Sequence, residues 1–295
     1  MKKPIKMLML GDSKAGKTGA LASLLLAGYT LRVIDMDNGT DIVEGILKKS
    51  PEALSRLHVR TCTDGDLEVK RTLMVGGKPT SGVISVPDGT AWDKAMEAFY
   101  HWPEFGAVNT WQGEEVVFVL DSLSFLSQAA MSWVMKLNGR LGQKPFDTDF
   151  GDAQTMVMGV IRSLFSTNLK CHVIVITHID YRGGSLFKES ADKPNRPAPT
   201  PDHIDLEPQK GYPMTVGKAL NNVIGRNFNT LFLVKSVGAG SSTRRVICTR
   251  NTFAGSAQVD LASVDLDVPP ELPIETGLAE YFRIVRGDLG KKAPE

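Results

Sequence analysis

Cysteine is scarce in this chain, and its three copies, Cys62, Cys171 and Cys248, lie far apart and form no C-x-x-C pair. A disulfide framework or a thiolate zinc site is therefore not expected, and a reducing compartment is the default. The five histidines show no metal-ligand spacing either. An excess of one charge is also missing: 34 Lys and Arg stand against 33 Asp and Glu, a net charge of +1. Bulk electrostatics thus argues neither for nor against a polyanionic partner. No stretch approaches the ~20 apolar residues a membrane span needs. The opening MKKPIKMLML has the basic head of a signal peptide, but its short apolar run leads straight into a glycine loop, so neither export nor a membrane is expected. What remains is ordinary: 42% apolar and 23% charged over 295 residues, enough for one large α/β domain with insertions.

The informative stretch is IKMLMLGDSKAGKTGA, residues 5–20. An apolar run stops at Gly11, and the next residues complete G-x-x-x-x-G-K-T, with Gly11, Gly16, Lys17 and Thr18 in the fixed places. Glycines let the backbone curl so that successive N–H groups point inward and cradle a phosphate. The expected nucleotide contacts are Gly11, Asp12, Ser13, Lys14, Ala15, Gly16, Lys17, Thr18 and Gly19, with Lys14 read as an exposed loop residue. Lys17 would neutralise the β- and γ-phosphates and the Thr18 hydroxyl would ligate Mg²⁺. A chance glycine turn is the bland alternative, but an apolar strand before it and an Ala/Leu-rich helical stretch at 18–26 after it supply the context the motif needs.

A second apolar run, 31–34, ends in Asp35-Met36-Asp37-Asn38-Gly39. Acids at the carboxyl end of a parallel strand lie where ligands collect in such sheets. One Asp is expected to be structural and the other to act. Residues 57–90 break the alternation of strand and helix and read as an inserted β-hairpin, followed by a helix over 88–99. Trp102 and Trp111 read as half-buried packing. At 116–121 the apolar VVFVLD ends in Asp121, the expected second Mg²⁺ ligand. Helices are expected over 124–137, 152–169 and 217–227, and strands over 173–178, 230–236 and 245–249. The long segment 179–216 has no periodicity, and a loop of that length inside a compact domain is usually functional or disordered. Three prolines, Pro269, Pro270 and Pro273, read as a linker. The expected organisation is a core domain over 1–268, then linker and short helix over 269–295.

This order of motifs resembles the RecA-like recombinase ATPases, and among them the compact phage RecA-like single-strand-annealing proteins, over roughly residues 5–252. RVIDMDNGTD is similar to the family's strand ending in D-x-E, which places Asp37 where the family's glutamate activates the attacking water. FVLDSLSFL is similar to its second acidic motif, at Asp121 and Ser122. In IVITHID, His178 stands at the γ-phosphate-sensing position. SSTRRVICTRN is similar to the closing hairpin, where Arg250 matches the basic residue that reaches a neighbouring subunit's nucleotide.

The resemblance implies an α/β, RecA-like P-loop NTPase core with a mostly parallel central sheet, an inserted β-hairpin and a closing antiparallel hairpin. It implies ATP and Mg²⁺ as cofactors and a homo-oligomer with nucleotide at the subunit interface. Single-stranded DNA would be the partner, with a single-strand-binding protein beside it, and the location cytoplasmic (the host's, for a phage gene). The two DNA-binding loops would be 137–152 and 179–216, contributing Lys136, Arg140, Lys144, Tyr181, Arg182, Lys188, Arg196 and Lys210. Where the family has Glu, Asp37 is a methylene shorter, so slow hydrolysis is expected. Two other classes stay open on the residues alone: a nucleotide-dependent switch or assembly protein without DNA binding, and a small-molecule phosphotransferase.

Overall fold

A computed structural model describes residues 3–182, 209–238, 242–254, 257–263 and 267–287. In chain order, β1 (Lys6–Gly11) enters the loop that precedes α1 (Lys17–Ala20) and α2 (Ala22–Leu26). Next come β2 (Thr30–Asp35), α3 (Asp41–Leu47), α4 (Pro51–Leu54), β3 (Leu57–Thr61), β4 (Asp66–Val75), β5 (Lys78–Pro87) and α5 (Ala91–Tyr100). The centre holds β6 (Val116–Asp121), α6 (Leu123–Leu137), α7 (Asp147–Leu164), β7 (His172–Thr177), β8 (Ile179–Arg182), β9 (Lys210–Pro213) and α8 (Lys218–Ile224). The chain closes through β10 (Thr230–Val237), β11 (Arg244–Cys248), β12 (Thr252–Ala254), β13 (Ala257–Val259), β14 (Glu271–Pro273) and α9 (Gly277–Val285).

Eight strands form the main sheet in the order β14-β11-β10-β1-β7-β6-β2-β3. Pairings from β10 to β3 are parallel, and the last two, β10 with β11 and β11 with β14, are antiparallel. This is the α/β architecture with a mostly parallel central sheet and a closing antiparallel hairpin that the motif order implied. The central strands read as unbroken apolar runs because both faces are covered. Along β1, Leu8 and Leu10 enter the core under α5, α6 and α7, whereas Met7 and Met9 enter the opposite core with α2 and α9. Trp102 and Trp111 are fully packed rather than half-buried, edge-on to each other at 5.3 Å, with the Arg32 guanidinium 4.5 Å from the Trp111 ring.

Several sequence expectations are corrected here. The inserted ribbon is β4–β5 alone; β3, at the start of the expected 57–90 insertion, pairs parallel with β2 as an edge strand of the main sheet. Strand-forming residues mark both, and only long-range pairing decides which sheet receives them. Helix α7 begins at Asp147 rather than 152 because the Asp149 carboxylate accepts the Phe146 N–H at 2.7 Å and caps it. The expected loop 137–152 is correspondingly shorter. The ends of the 179–216 segment are not loop: β8 and β9 pair antiparallel in a four-stranded sheet ordered β12-β13-β9-β8. The expected linker contributes β14 to the main sheet, and α9 packs into the same core, so the fold continues past 268. Tyr281 and Phe282 of α9 are fully buried, and the Tyr281 hydroxyl bonds Thr230 Oγ1 at 2.8 Å. Phe282→Ala is therefore expected to destabilise the fold by about 3–5 kcal/mol, read as a lowered melting temperature. Among the described residues, no helix is long and apolar enough to cross a membrane.

Candidate functional site

The phosphate loop leaves β1 at the carboxyl edge of the sheet. Gly11 is required by a close approach, since a Cβ there would lie 2.7 Å from the Val234 carbonyl oxygen. Gly16 takes φ 103°, and its Cβ would meet Ile274 Cδ1 at 3.1 Å and Arg245 Cδ at 3.2 Å. Asp12, Ser13 and Lys14 are exposed along the outside of the turn, while Ala15 is buried beneath it. The Lys17 ammonium is buried and curls back to donate to the Gly11 and Asp12 carbonyls, both at 2.8 Å. Those are weak substitutes for phosphate oxygens. Burial lowers the Lys17 pKa, and the Asp121, Asp12 and Asp37 charges oppose that fall. Gly16→Ala would strain the backbone and crowd two neighbours, an expected cost of about 1–3 kcal/mol. Thermal melting and nucleotide titration would both register it.

The acids meet Thr18 on the other side of Lys17. Register pairs Asp35 with Asp121 at the ends of β2 and β6. The two acids of DMDNG then part company. Asp35 is consumed by the turn, accepting the N–H groups of Asp37, Gly39 and Thr40 and the Thr40 hydroxyl at 2.8–3.3 Å. Asp37 is left over: its Oδ1 is buried with no hydrogen-bond partner among the described residues. Thr18 Oγ1 donates to Asp121 Oδ2 at 2.6 Å. Both carboxyls are pushed up, Asp37 to about 7 and Asp121 to about 6, in each case first by burial. Neighbouring acids add to the rise; the Thr18 hydrogen bond and then Lys17 oppose it at Asp121, and Lys17 opposes it at Asp37.

An unpartnered carboxylate oxygen beside a hydroxyl and a second buried acid is a place short of positive charge. The donors are all oxygen, which suits a hard cation such as Mg²⁺ that keeps several waters. Among the described residues no three or more His, Cys, Asp or Glu converge as an all-protein metal cage. Thr18 and Asp121 with solvent and phosphate oxygens are the set that fits.

His178 follows β7 at the same edge. Its backbone N–H donates to Ser124 Oγ at 3.0 Å, and its ring lies edge-on to Phe125 at 5.9 Å. Burial first, then the Lys17 charge, lower its pKa, so the imidazole is neutral at pH 7. Ser124 also bonds Thr177 and the Met214 carbonyl, tying α6, β7 and the entry to α8 together behind the site.

Among the described residues, four of the expected DNA-contacting side chains are engaged within the fold. Arg140 is spent on Asp149, which also helps cap α7. Arg182 pairs with Asp180 and reaches Asn222. Tyr181 donates its hydroxyl to Asp12 Oδ1 at 2.8 Å, joining the phosphate loop to β8. Lys136 reaches the Gly89 carbonyl at 3.5 Å. Lys144 and Lys210 are exposed, and Lys188 and Arg196 lie outside the described residues.

Arg250 lies past the end of β11 and donates to the Val268 carbonyl at 3.3 Å. Cys248 is level with Leu233, itself level with Leu10, and the strand runs away from the loop, so Arg250 is not beside its own chain's phosphate site. A basic residue of the same hairpin that does lie beside it is Arg245, which motif reading passed over; Lys235 of β10 also lines the cleft against Asp12–Ala15. The doublet Arg244-Arg245 carries no spacing that singles one out; strand alternation does.

A family model described as AAA domain matches residues 3–252. No curated protein matches the chain. Among solved structures, the chain is similar to the flagellar accessory protein FlaH from Methanocaldococcus jannaschii, at a TM-score of 0.35 and 9% identity, over 84% of this chain and 78% of that one. It is also similar to a KaiC-like protein from Pyrococcus horikoshii OT3, at a TM-score of 0.37 and 9% identity, over 83% of this chain and 78% of that one.

Proposed function

Because the chain belongs to the AAA domain family, we propose that it is an ATPase that takes ATP and Mg²⁺ on residues 11–19 and acts on single-stranded DNA in recombination or strand annealing. One observation carries the nucleotide half: Thr18, Asp121 and the Asp37 carboxylate, whose Oδ1 is buried without a partner among the described residues, meet beside Lys17 at the end of the phosphate loop. Lys17 exchanges the Gly11 and Asp12 carbonyls for β- and γ-phosphate oxygens. Thr18 and Asp121 hold Mg²⁺, which when bound supplies charge neutralisation across the phosphates. Asp37 accepts a hydrogen bond from the attacking water and takes its proton. Neutral His178 donates toward the γ-phosphate, and Arg250 completes a neighbouring subunit's site in a homo-oligomer.

On the DNA side, the reading is supported by the order of motifs, by exposed Lys144 and Lys210, and by Phe146, which is 62% exposed although the Arg140 guanidinium lies over its ring at 4.2 Å. The testing experiment is ATP hydrolysis with and without single-stranded DNA, at low and moderate salt, beside Lys17→Ala. Stimulation that weakens with salt, as phosphate contacts require, is the expected result. Hydrolysis indifferent to DNA would favour the second reading, a nucleotide-dependent switch or assembly protein. The ion pairs of Arg140 and Arg182 lend that reading some weight, because they withdraw two cations from any DNA surface.

A further inference from the structure

The geometry points to Arg245 as a nucleotide-binding residue acting within its own subunit, gripping the α-phosphate end of the bound nucleotide from the closing hairpin. The inference rests on the nucleotide reading above. Val234 of β10 is level with Gly11, and Ser236, two residues nearer the carboxyl edge, pairs with Arg245. Arg245 is therefore held by strand register just above the level where the phosphate loop begins. Ile247 packs with Met7, Met9 and Leu272, so by alternation Arg245 stands on that same face, the one α2 and α9 cover. The result is contact: Arg245 Cδ and Nη1 lie 3.2 and 3.7 Å from the Cβ position of Gly16.

Arg244, its neighbour, pairs with Glu271 at 3.1 Å. Arg245 is exposed, and its side chain has no hydrogen bond or ion pair among the described residues. A permanently charged, planar fork left unpaired beside a phosphate cradle is suited to bidentate contact with a phosphate.

Sheet order says which phosphate. From β1, the acids that mark the γ end lie in one direction, Asp121 two strands away at the end of β6 and Asp37 just past the end of β2, three strands away, and Arg245 lies two strands away in the other, on β11. A polyphosphate whose γ end reaches Asp37 and Asp121 leaves its α end toward Arg245. The contact is thus made equally by a diphosphate and a triphosphate.

The test is calorimetric titration of wild type, Lys17→Ala, Arg245→Ala, Arg245→Lys and Arg244→Ala with ADP and with a non-hydrolysable ATP analogue. Arg245→Ala is expected to weaken both ligands equally, roughly ten- to hundredfold for a lost charge-assisted bond. Arg245→Lys should fall between, and Arg244→Ala should match wild type. Melting curves verify that each variant is folded. Wild-type affinity for ADP in Arg245→Ala overturns the inference and leaves the nucleotide reading intact. A loss confined to the triphosphate analogue overturns the assignment to the α end. Rescue of Arg245→Ala by excess Lys17→Ala, whose own phosphate site is weakened but which carries Arg245, overturns action within one subunit. If wild type binds neither ligand, the nucleotide reading fails and this inference with it.

Discussion

Lys17→Ala is expected to lower ATP hydrolysis by about two to three orders of magnitude, the range for removing one preorganised charge-stabilising donor. The reason is visible in how much converges on this one ammonium. It is buried, it bonds only backbone carbonyls, and its charge is the one that holds down the pKa values of both Asp37 and Asp121. Removing it strips the phosphate site of its only buried cation among the described residues and pushes both acids further up. Nucleotide affinity should fall together with the rate, because the ammonium meets substrate in the ground state as well as in the transition state. Steady-state hydrolysis and ADP titration on the same preparation separate the two effects. Retention of more than a tenth of wild-type activity would contradict the assignment of Lys17 to the phosphates.

Asp37→Asn is expected to move stability and activity in opposite directions. Asp37 titrates at about 7 and Asp121 at about 6 in the folded chain, against an ordinary aspartate value of 3.8. Between pH 4 and 7 the native state thus holds protons that the unfolded state has released, so metal-free stability falls as pH rises through that window. The loss is complete above the folded values. Asp37→Asn removes the repulsive charge. With chelator at pH 8 the variant should be more stable than wild type by about 1–2 kcal/mol, after discounting a side chain that solvent partly screens. At pH 4 most of the gain should be lost, since folded wild type is then protonated and neutral at that position. Hydrolysis in Mg²⁺ should drop by at least about a hundredfold, the lower end for loss of a general base. Melting curves at the two pH values, paired with hydrolysis rates, check all three statements. A variant destabilised at pH 8 would show that Asp37 is a structural acid like Asp35.

The divergence of Asp35 and Asp37 shows where sequence reading stops. DMDNG announces acids at a strand's carboxyl end, and the family likeness points to Asp37. Only the turn's folding shows Asp35 absorbed by four donors and Asp37 Oδ1 left with none among the described residues. Arg245 is the converse case. Nothing local distinguishes it from Arg244, because register and strand alternation, not composition, decide which of two adjacent arginines faces the loop. The same holds for Arg140 and Arg182, which read as free cations until Asp149 and Asp180 are seen beside them.

What the sequence by itself determined about this protein is whatever depends on neighbours in the chain. The phosphate loop is local, since it needs glycines at set spacings to curl and a lysine one residue on. The central strands are local too, since strands buried on both faces are apolar along their middle, as at 7–10 of β1, 116–120 of β6 and 173–176 of β7. The tertiary structure decided what depends on partners distant in the chain. It assigned β3 to the main sheet rather than to the ribbon, and turned an apparent proline linker into β14. It buried α9 against β10 and set Arg245 against Gly16. Pairing energy and burial accrue only when remote segments meet, and no spacing along the chain records which segments those are.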